Sequence, residues 1–361
     1  MKKVLILTAE RTGTGHKSSA NAIEKKLNIL GYDTMQVDCF TMMGKKGELT
    51  ENSYIPITTT FPPLFHFAYL FSQNFPNAIH SLMYAFSKKK FKKILNEYKP
   101  DIIISVHSMF TKAISRVLKE ERLTVPFYVY VIDLVKPPKL WFDKNATAFF
   151  LPTGDVKNDY LKKGIDEEKL IVSGFPIRED IVRRSSPKEI TDKINILLVN
   201  PSVNLRKNIM YAKEVSKLDN VSVCFICGRD EKLYKTLTNE QKKGNISEAV
   251  KIYSFVTNMN EFLDNAHIVL TKAGPNMMLE ATRSAAAVVV TGHIKGQENH
   301  NYEYIVNNNY GFKCENPKYI YDNLNHFIKS DELNVCLKNV LNADFNNGAE
   351  IVANYIANIG K

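Results

Sequence analysis

Short apolar runs rich in β-branched and aromatic residues alternate with longer stretches of helical pattern through most of the chain. In the first half, such runs occupy residues 3–8, 33–38, 101–106, 126–131, 147–151 and 169–173. Helical patterns fill the gaps near residues 17–30, 109–121 and 154–163, with two more inside an uncharged stretch. Strands that alternate regularly with helices predict a parallel, doubly wound sheet.

The second half repeats this alternation. Its predicted strands lie near 194–199, 221–226, 250–254, 267–271, 287–291 and 311–313, and its predicted helices near 205–217, 230–242, 258–265, 275–284 and 297–308. Residues 176–193 are charged and irregular, as in a linker, and the tail 317–361 has helical patterns only. We expect an N-terminal domain over 1–175, a C-terminal domain over 194–340, and a last helix within 341–361 that packs back toward the N-terminal domain. Two doubly wound Rossmann-like domains with a central cleft form the α/β architecture called GT-B.

The composition is that of a soluble globular protein, with 44% hydrophobic and 24% charged residues among 361. The net charge of +10 suits nucleic acid, an anionic membrane surface or an anionic substrate. Because the lysines are scattered and no nucleic-acid motif accompanies them, we expect no nucleic-acid partner. Five dispersed cysteines and an N-terminus without a signal sequence predict free thiols in a reducing, cytoplasmic setting.

A segment without any Lys, Arg, Asp or Glu extends from Ile55 to Ser87, and five lysines follow it within 88–93. An aromatic surface beside a lysine cluster is what an in-plane anchor on anionic lipid requires. A pair of core helices followed by a solvated helix face fits the same pattern equally well. The residues of such an anchor would be Phe61, Phe65, Phe67, Tyr69, Phe71, Lys88, Lys89 and Lys90. No stretch of the sequence is long and apolar enough to span a bilayer.

The first predicted strand runs into a glycine turn, Gly13-x-Gly15-His16, where a helix starts. Glycine lets the backbone approach a ligand, and the free N–H groups of a helix start face that ligand. His16 would thus lie at the carboxyl edge of the sheet, where such folds place their sites. A plain strand-to-helix turn explains the motif as well.

A second such turn follows the predicted strand 267–271 and has the sequence Lys272-Ala273-Gly274-Pro275-Asn276. Proline suits the first turn of a helix, and the N–H groups there can bind a pyrophosphate. Glu280 is placed to accept hydrogen bonds from ribose hydroxyls, although an amphipathic core helix with a solvated Glu280 fits the same residues. The polar stretch after the next strand suits a sugar or a surface loop, and it contains Gln297, Glu298 and Asn301.

Other residues with possible chemistry are isolated. Asp133 follows a predicted strand, where carboxylates are often functional but a solvated aspartate is nearly as common. Trp141, the only tryptophan, either stacks on a sugar or packs the interior. Cys224 and Cys227 lie within a predicted strand without a second ligand pair, so strand packing is favoured over a metal site. The eight histidines show no metal-ligand spacing, and we expect no metal.

Six motifs together resemble one family across most of the chain. They are G-x-G-H at 13–16, V-I-D-L at 131–134 with Trp141, S-G-F-P-I-R at 173–178, C-G-R at 227–229, T-K-A-G-P at 271–275 with Glu280, and G-Q-E-x-x-N at 296–301. Their order and spacing are similar to those of the monogalactosyldiacylglycerol synthases and processive diacylglycerol glucosyltransferases. These are inverting glycosyltransferases that use UDP-sugars.

The resemblance implies that the N-terminal domain takes a lipid acceptor at the membrane and that the C-terminal domain takes the UDP-sugar. A hexose would pass to a lipid hydroxyl of diacylglycerol or a glycolipid, with no permanently bound cofactor and no metal. His16 matches the catalytic histidine and would be the general base; Asp133 would orient it or act as base itself, and Trp141 falls on the acceptor side. The implied donor-binding residues are Gly15, Arg229, Lys272, Gly274, Pro275, Asn276, Glu280, Gln297, Glu298 and Asn301. The protein would be cytoplasmic and peripherally associated with the inner face of the cell membrane.

Three stretches depart from the family pattern. The turn at 199–204 has no glycine but contains Pro201, which removes an N–H. Residues 135–139 lack the histidine that the family often has before the tryptophan, and Ile132 replaces the usual threonine. Two alternatives therefore stay open: a UDP-sugar 2-epimerase of the same fold, and a catalytically impaired homologue that binds nucleotide or lipid.

Overall fold

The computed structural model describes residues 1–10, 14–190, 192–296, 298–343 and 346–359, and it divides into two compact units. The first unit comprises Met1–Arg178, the short stretch 295–296 and the C-terminal helix. The second comprises Glu179–Ile294 and residues 298–343. Each unit is built on one six-stranded sheet.

All strand pairs of the first sheet are parallel, in the order β2-β1-β3-β4-β5-β6. The four inner strands are almost fully buried because helices cover both faces, which explains why they are continuous apolar runs in the sequence. The strands are β1 (Lys3–Thr8), β2 (Asp33–Asp38), β3 (Ile102–Ser105), β4 (Phe127–Tyr130), β5 (Ala148–Leu151) and β6 (Leu170–Val172).

The helices of the first unit include one from the C-terminus. They are α1 (Thr14–Ile29), α2 (Lys45–Thr60), α3 (Pro62–Asn74), α4 (Pro76–Tyr98), α5 (Thr111–Glu120), α6 (Gly154–Lys162) and the last helix, α14 (Gly348–Ile359). Helix α14 packs against α1, and its Val352 and Ile356 belong to the same core cluster as Ile23 and Leu27. The chain thus completes its first domain with its last helix.

The second sheet is also parallel and has the order β12-β11-β10-β7-β8-β9. Its strands are β7 (Ile194–Val199), β8 (Val221–Ile226), β9 (Lys251–Tyr253), β10 (Ile268–Lys272), β11 (Ala287–Gly292) and β12 (Gly311–Lys313). Its helices are α7 (Leu205–Val215), α8 (Glu231–Lys242), α9 (Met259–Asn265), α10 (Pro275–Arg283), α11 (Asn301–Asn307), α12 (Ile320–Lys329) and α13 (Glu332–Asn342).

The twelve predicted strands are confirmed to within one residue at each end, whereas four helices differ from the prediction by more than two residues. Helix α2 was not predicted, because Pro56 and Gly47 within it are residues that normally break a helix. Helix α1 begins three residues before the predicted start, and α11 begins four residues after it. Helix α4 continues through the lysine run to Tyr98, so the change in charge is not a structural boundary.

The order of strands creates a switch point in each sheet. At this point the connections that leave two neighbouring strands run toward opposite edges of the sheet. In the first sheet it lies between β1 and β3, and in the second between β7 and β10. Ligands of open α/β sheets bind in the crevice at the carboxyl ends of such strands. Both predicted glycine turns follow a strand at one of these positions. Across the described residues, no helix combines the length and apolarity needed to cross a bilayer.

Candidate active site

His16 lies in the first turn of α1, directly after the β1 turn, and is buried. Its Nδ1 is 2.6 Å from the carbonyl oxygen of Val106, which follows β3. A carbonyl can only accept, so Nδ1–H donates this bond and Nε2 keeps its lone pair. The two strands at the switch point thereby supply the histidine and the group that orients it.

Burial lowers the pKa of His16 to about 4, against a smaller opposing effect of the Val106 hydrogen bond. The imidazole is therefore neutral at physiological pH, as a proton acceptor must be. A second buried histidine, His107, lies against it with 4.5 Å between the ring centroids. Burial lowers the pKa of His107 as well, so both imidazole rings of the pair are uncharged.

Asp133 follows β4 and is buried, and its Oδ2 accepts a 2.7 Å hydrogen bond from Nε1 of Trp141. The indole lies 6.3 Å from the His16 ring. Of the two alternatives for Trp141, packing in the interior agrees with its 1% exposure, and its place on the acceptor side stays a prediction. The Val106 carbonyl holds Nδ1 of His16, while the two predicted roles of Asp133, orienting His16 or acting as base, stay predictions.

A stripe of exposed apolar side chains runs along α3 and includes the residue at each of its ends. Its six members are between 43% and 68% exposed, and most of them are three or four residues apart in the sequence. They are Phe61, Leu64, Phe67, Leu70, Phe71 and Phe75. The alternative of two core helices is therefore excluded for this face of α3. Phe65 and Tyr69 are only half-buried and lie off this stripe. We call the six exposed residues the aromatic stripe.

The other face of α3 points toward the residues around His16. Burial, with a contribution from the charge of Asp133, raises the pKa of Tyr69 to about 12. The Oε1 of Gln73 accepts a 3.0 Å hydrogen bond from the N–H of Lys139, at the start of the short turn that carries Trp141. The helix thus connects the aromatic stripe with the site.

The lysine run on α4 divides into two groups. Lys92 and Lys93 pair with the carboxylates of Glu121 and Glu97. The predicted lipid-contacting residues Lys88, Lys89 and Lys90 have no carboxylate partner among the residues that the structure describes. Lys90 donates to the carbonyl of Thr41, and the ammonium of Lys88 lies 5.1 Å from the centre of the Tyr84 ring. All three side chains are exposed.

In the second unit, β10 ends at Lys272, and Gly274 and Pro275 begin the nine-residue helix α10. The Oδ1 atom of Asn276 is buried there without a hydrogen-bond partner in the described part of the chain. Gly274 leaves this turn open, because even a Cβ atom at that position would lie no nearer than 3.9 Å to Glu298 Oε1. The start of α10 thus offers N–H groups and an unpaired amide oxygen.

The residues around this turn have different roles. Glu298 Oε2 accepts a 2.7 Å hydrogen bond from the N–H of Ile294; burial raises its pKa, which that bond and the charges of Lys272 and His293 oppose. Asn301 Nδ2 donates to the Ala273 carbonyl and so holds the turn from inside. Glu280 is buried.

Arg229 lies after β8 at the same edge of the second sheet. It is exposed, and its guanidinium lies 5.0 Å from the centre of the Phe255 ring. Gly15 lies in the first turn of α1, next to His16, in the first unit. Gln297, and Gly13 of the first motif, lie outside the described residues.

The turn between β7 and α7, which lacks glycine, is closed by its own side chains. The Ser202 N–H donates to Asn208 Oδ1 at 2.8 Å, and the Lys207 N–H donates to Asn204 Oδ1 at 3.1 Å. Asn200 adopts a positive φ of 36°, a conformation that asparagine tolerates. The N–H groups of Ser202, Asn204 and Lys207 are thus engaged by side chains of the same turn, which makes the α10 turn the better anion site.

Sequence reasoning missed His107 and the Asn204–Asn208 network. His107 could have been found, because it follows an apolar strand in the same manner as Asp133. The capping network could not, because asparagine is common in any loop. In the described part of the chain, no group of three or more His, Cys, Asp or Glu residues is placed to hold a metal ion.

Solved structures match the fold over its whole length. MurG from Acinetobacter baumannii has a TM-score of 0.68 at 12% identity and covers 99% of this chain and 100% of its own. A UDP-GlcNAc 2-epimerase from Neisseria meningitidis, solved with UDP-GlcNAc bound, has a TM-score of 0.62 at 14% identity and covers 99% of both chains. The predicted GT-B architecture, with two parallel α/β domains, is confirmed. The protein is a glycosyltransferase.

Sequence matches indicate which group of glycosyltransferases the chain resembles. The family model described as monogalactosyldiacylglycerol (MGDG) synthase matches residues 16–177, and the glycosyltransferase family 28 C-terminal domain matches residues 200–336. In its sequence the chain is similar to the monogalactosyldiacylglycerol synthases and processive diacylglycerol glucosyltransferases, which confirms the resemblance that its motifs predicted. These matches favour a transferase over the epimerase alternative.

Two relatives illustrate the range of the family. A probable monogalactosyldiacylglycerol synthase of Nicotiana tabacum is 29% identical over 371 residues, which cover 94% of this chain and 67% of the relative. A processive diacylglycerol beta-glucosyltransferase of Bacillus cereus is 27% identical over 316 residues, which cover 84% of this chain and 79% of the relative. The chain spans between 63% and 69% of the length of four plant synthases.

Proposed function

We propose that this glycosyltransferase moves a hexose from a UDP-sugar to a hydroxyl of diacylglycerol, or of a glycolipid built on it, with inversion at the anomeric carbon. The observation that carries this proposal is the neutral imidazole of His16, whose Nδ1–H is held by Val106 so that Nε2 keeps its lone pair. The printed names of the relatives, a galactolipid synthase and a diacylglycerol glucosyltransferase, support the acceptor class.

In the acceptor step, Nε2 of His16 takes the proton of the lipid hydroxyl while its oxygen attacks the anomeric carbon. The bond between that carbon and the phosphate oxygen breaks, and UDP leaves with the electron pair. A single displacement from the face opposite to UDP inverts the configuration. Asp133, whose carboxylate accepts a hydrogen bond from Trp141, would be the alternative base.

In the donor step, UDP takes up negative charge as it leaves, and the second unit supplies the compensation. The N-terminus of α10 and the ammonium of Lys272 would stabilise the diphosphate. Glu280 would bind the ribose of the UDP-sugar. The sites of its sugar and phosphates would be lined or shaped by Arg229, Gln297, Glu298 and Asn301. No bound cofactor enters this scheme, and we expect EDTA to leave turnover unchanged.

The aromatic stripe and the three uncompensated lysines would hold the protein on an anionic bilayer. Six exposed apolar side chains, four on α3 and one at each of its ends, can enter the headgroup boundary, and Lys88, Lys89 and Lys90 would meet lipid phosphates. The acceptor of such an enzyme is itself a membrane component. We therefore place the protein peripherally on the inner face of the cell membrane.

The test is a donor panel of UDP-glucose, UDP-galactose and UDP-N-acetylglucosamine with vesicles that contain diacylglycerol, read by mass spectrometry. We expect a glycolipid from at least one donor, and its loss in His16→Ala. The matched control is His326→Ala, which removes a histidine that is largely exposed on α12. An isomerised UDP-sugar in the absence of lipid would favour the epimerase instead. Tight UDP binding without any product would favour the impaired homologue.

A further inference from the structure

The segment after β3 contacts His16 twice. The N–H of Val106 donates to the Leu7 carbonyl of β1, which fixes the segment, and the Val106 carbonyl accepts from His16. The next residue, His107, places its ring 4.5 Å from the His16 ring, centroid to centroid, at a tilt of 49°. Backbone and side chain of adjacent residues therefore hold the same imidazole.

The ring of His107 is itself fixed by aromatic contacts rather than by hydrogen bonds. Phe40 meets it edge-on at 5.4 Å, and Phe110 lies 5.9 Å away. The Ser105 hydroxyl donates to the His107 carbonyl at 3.1 Å and so fixes the backbone. Nδ1 of His107 is buried without a hydrogen-bond partner among the residues that the structure describes. Because Nδ1 makes no hydrogen bond there, the contact that His107 makes with His16 is one of ring against ring.

We propose that His107 is a positioning residue, whose ring face holds the imidazole of His16 in place and excludes water from it, so that Nε2 is presented to the acceptor. This inference rests on the proposed role of His16 as the base, but the packing itself can be measured without turnover. His107 acts through its aromatic face and not through its nitrogens. A phenyl ring should therefore replace it, whereas a small side chain should not.

Removing the ring would admit water to His16. Since burial is the largest cause of the low pKa of His16, hydration moves that pKa back toward 6.5. Of the titratable groups around His16, the variants remove only His107, whose pKa is lowered by burial, so that no charge is lost with it. Asp133 after β4 and the ion pair of Lys17 with Glu10, whose charged atoms are 2.9 Å apart, stay in place, so the direction of the shift is unchanged.

The experiment compares His107→Phe, His107→Ala and His107→Asn with the wild-type protein. Two-dimensional NMR of isotope-labelled histidine gives the pKa of His16, whose signal is assigned by its loss in His16→Asn. Steady-state kinetics with UDP-sugar and diacylglycerol vesicles give kcat and the KM of the donor. Thermal unfolding is recorded for each variant, and the Asn variant serves if the Ala variant does not fold.

We expect His107→Phe to keep the wild-type pKa of His16 and its kcat within about threefold, with unchanged or higher thermal stability, because it removes the unpaired nitrogen. In the Ala and Asn variants we expect the pKa to rise by about one unit or more. Their kcat should fall about 10- to 100-fold while the KM of the donor stays constant, as for a misplaced catalytic group.

Two results would overturn the inference. One is a wild-type pKa and kcat in folded His107→Ala and His107→Asn, which would make the ring dispensable. The other is a Phe variant that behaves like the Ala variant, which would assign the effect to the nitrogens. If no variant or wild-type protein turns over lipid but the pKa shifts appear as expected, the positioning role stands and the proposed function is what fails.

Discussion

At the scale of single residues, His16 shows how an imidazole can be buried and still serve as a base. The carbonyl of Val106 fixes the tautomer, so that the lone pair is always on Nε2. Burial keeps the ring uncharged, so that no deprotonation is needed before the acceptor binds. A solvated histidine with an ordinary pKa of about 6.5 would be partly protonated in a slightly acidic cell.

The pH dependence of turnover follows from this state. The base must be neutral, and the folded-state pKa of His16 is lowered to about 4. We therefore expect kcat/KM to stay constant down to about pH 5 and to fall as the pH drops through about 4. A pH–rate profile with diacylglycerol vesicles measures this.

Trp141 fluorescence provides the control for this profile, because it reports whether the fold survives at each pH. Asp133→Asn assigns the limb: if it persists in that variant, the imidazole and not the carboxylate is titrating. A limb centred near 6.5 would contradict the buried state of His16.

At the scale of elements, the two faces of α3 differ: one is exposed and apolar, and the other contacts the interior of the first unit. The aromatic stripe faces outward, whereas Gln73 binds the backbone of Lys139 next to Trp141. Helix α14 has a different task, since it covers the apolar face of α1. Helix α3 would make the proposed contact with lipid, whereas α14 closes the core of the same domain.

The double substitution Phe67→Glu with Phe71→Glu tests the outer face of α3. Both side chains are exposed, so the fold should be kept, while two charges would enter the region that is proposed to meet the bilayer. We expect binding to anionic vesicles to weaken at least about tenfold in a co-sedimentation assay. Tyr319→Glu is the matched control, because Tyr319 is a similarly exposed aromatic residue of the second unit. Equal loss of binding in both variants would mean that the stripe is not a specific membrane contact.

Docking of α14 depends on the glycine at its start. A Cβ atom at Gly348 would overlap the hydroxyl of Tyr130 and lie 2.6 Å from the carbonyl oxygen of Gly174. We expect Gly348→Ala to lower the free energy of unfolding by about 2 kcal/mol or more, measured by urea denaturation. Gly154→Ala is the control, since a Cβ there meets no atom within 4 Å. Tyr130→Phe should recover part of the loss, and full stability of Gly348→Ala would show that the close contact is absent.

At the scale of the whole molecule, both sheets could be predicted from the sequence, because short runs of β-branched residues strongly favour strands. The ends of β1 and β10 were marked by glycine, which few other positions require. Helix α2 was not predicted because proline and glycine lie inside it, and Trp141 stayed open between a sugar contact and the interior because a single residue has no periodicity. The pairing of His16 with Val106 joins residues 90 positions apart, and no local pattern encodes such a contact.

A division of labour between the two units gives the last prediction. Lys272 lies at the proposed diphosphate site in the second unit, and His16 lies in the first. We expect Lys272→Ala to weaken UDP binding about tenfold or more in calorimetry, because a charge-assisted contact is lost, and to leave vesicle binding unchanged. His16→Ala should abolish turnover but keep the UDP affinity within about twofold. Lys251→Ala, which removes an exposed lysine on the edge strand β9, is the control for loss of charge. Should Lys272→Ala and Lys251→Ala bind UDP equally well, the diphosphate site would have to lie elsewhere than at the α10 turn.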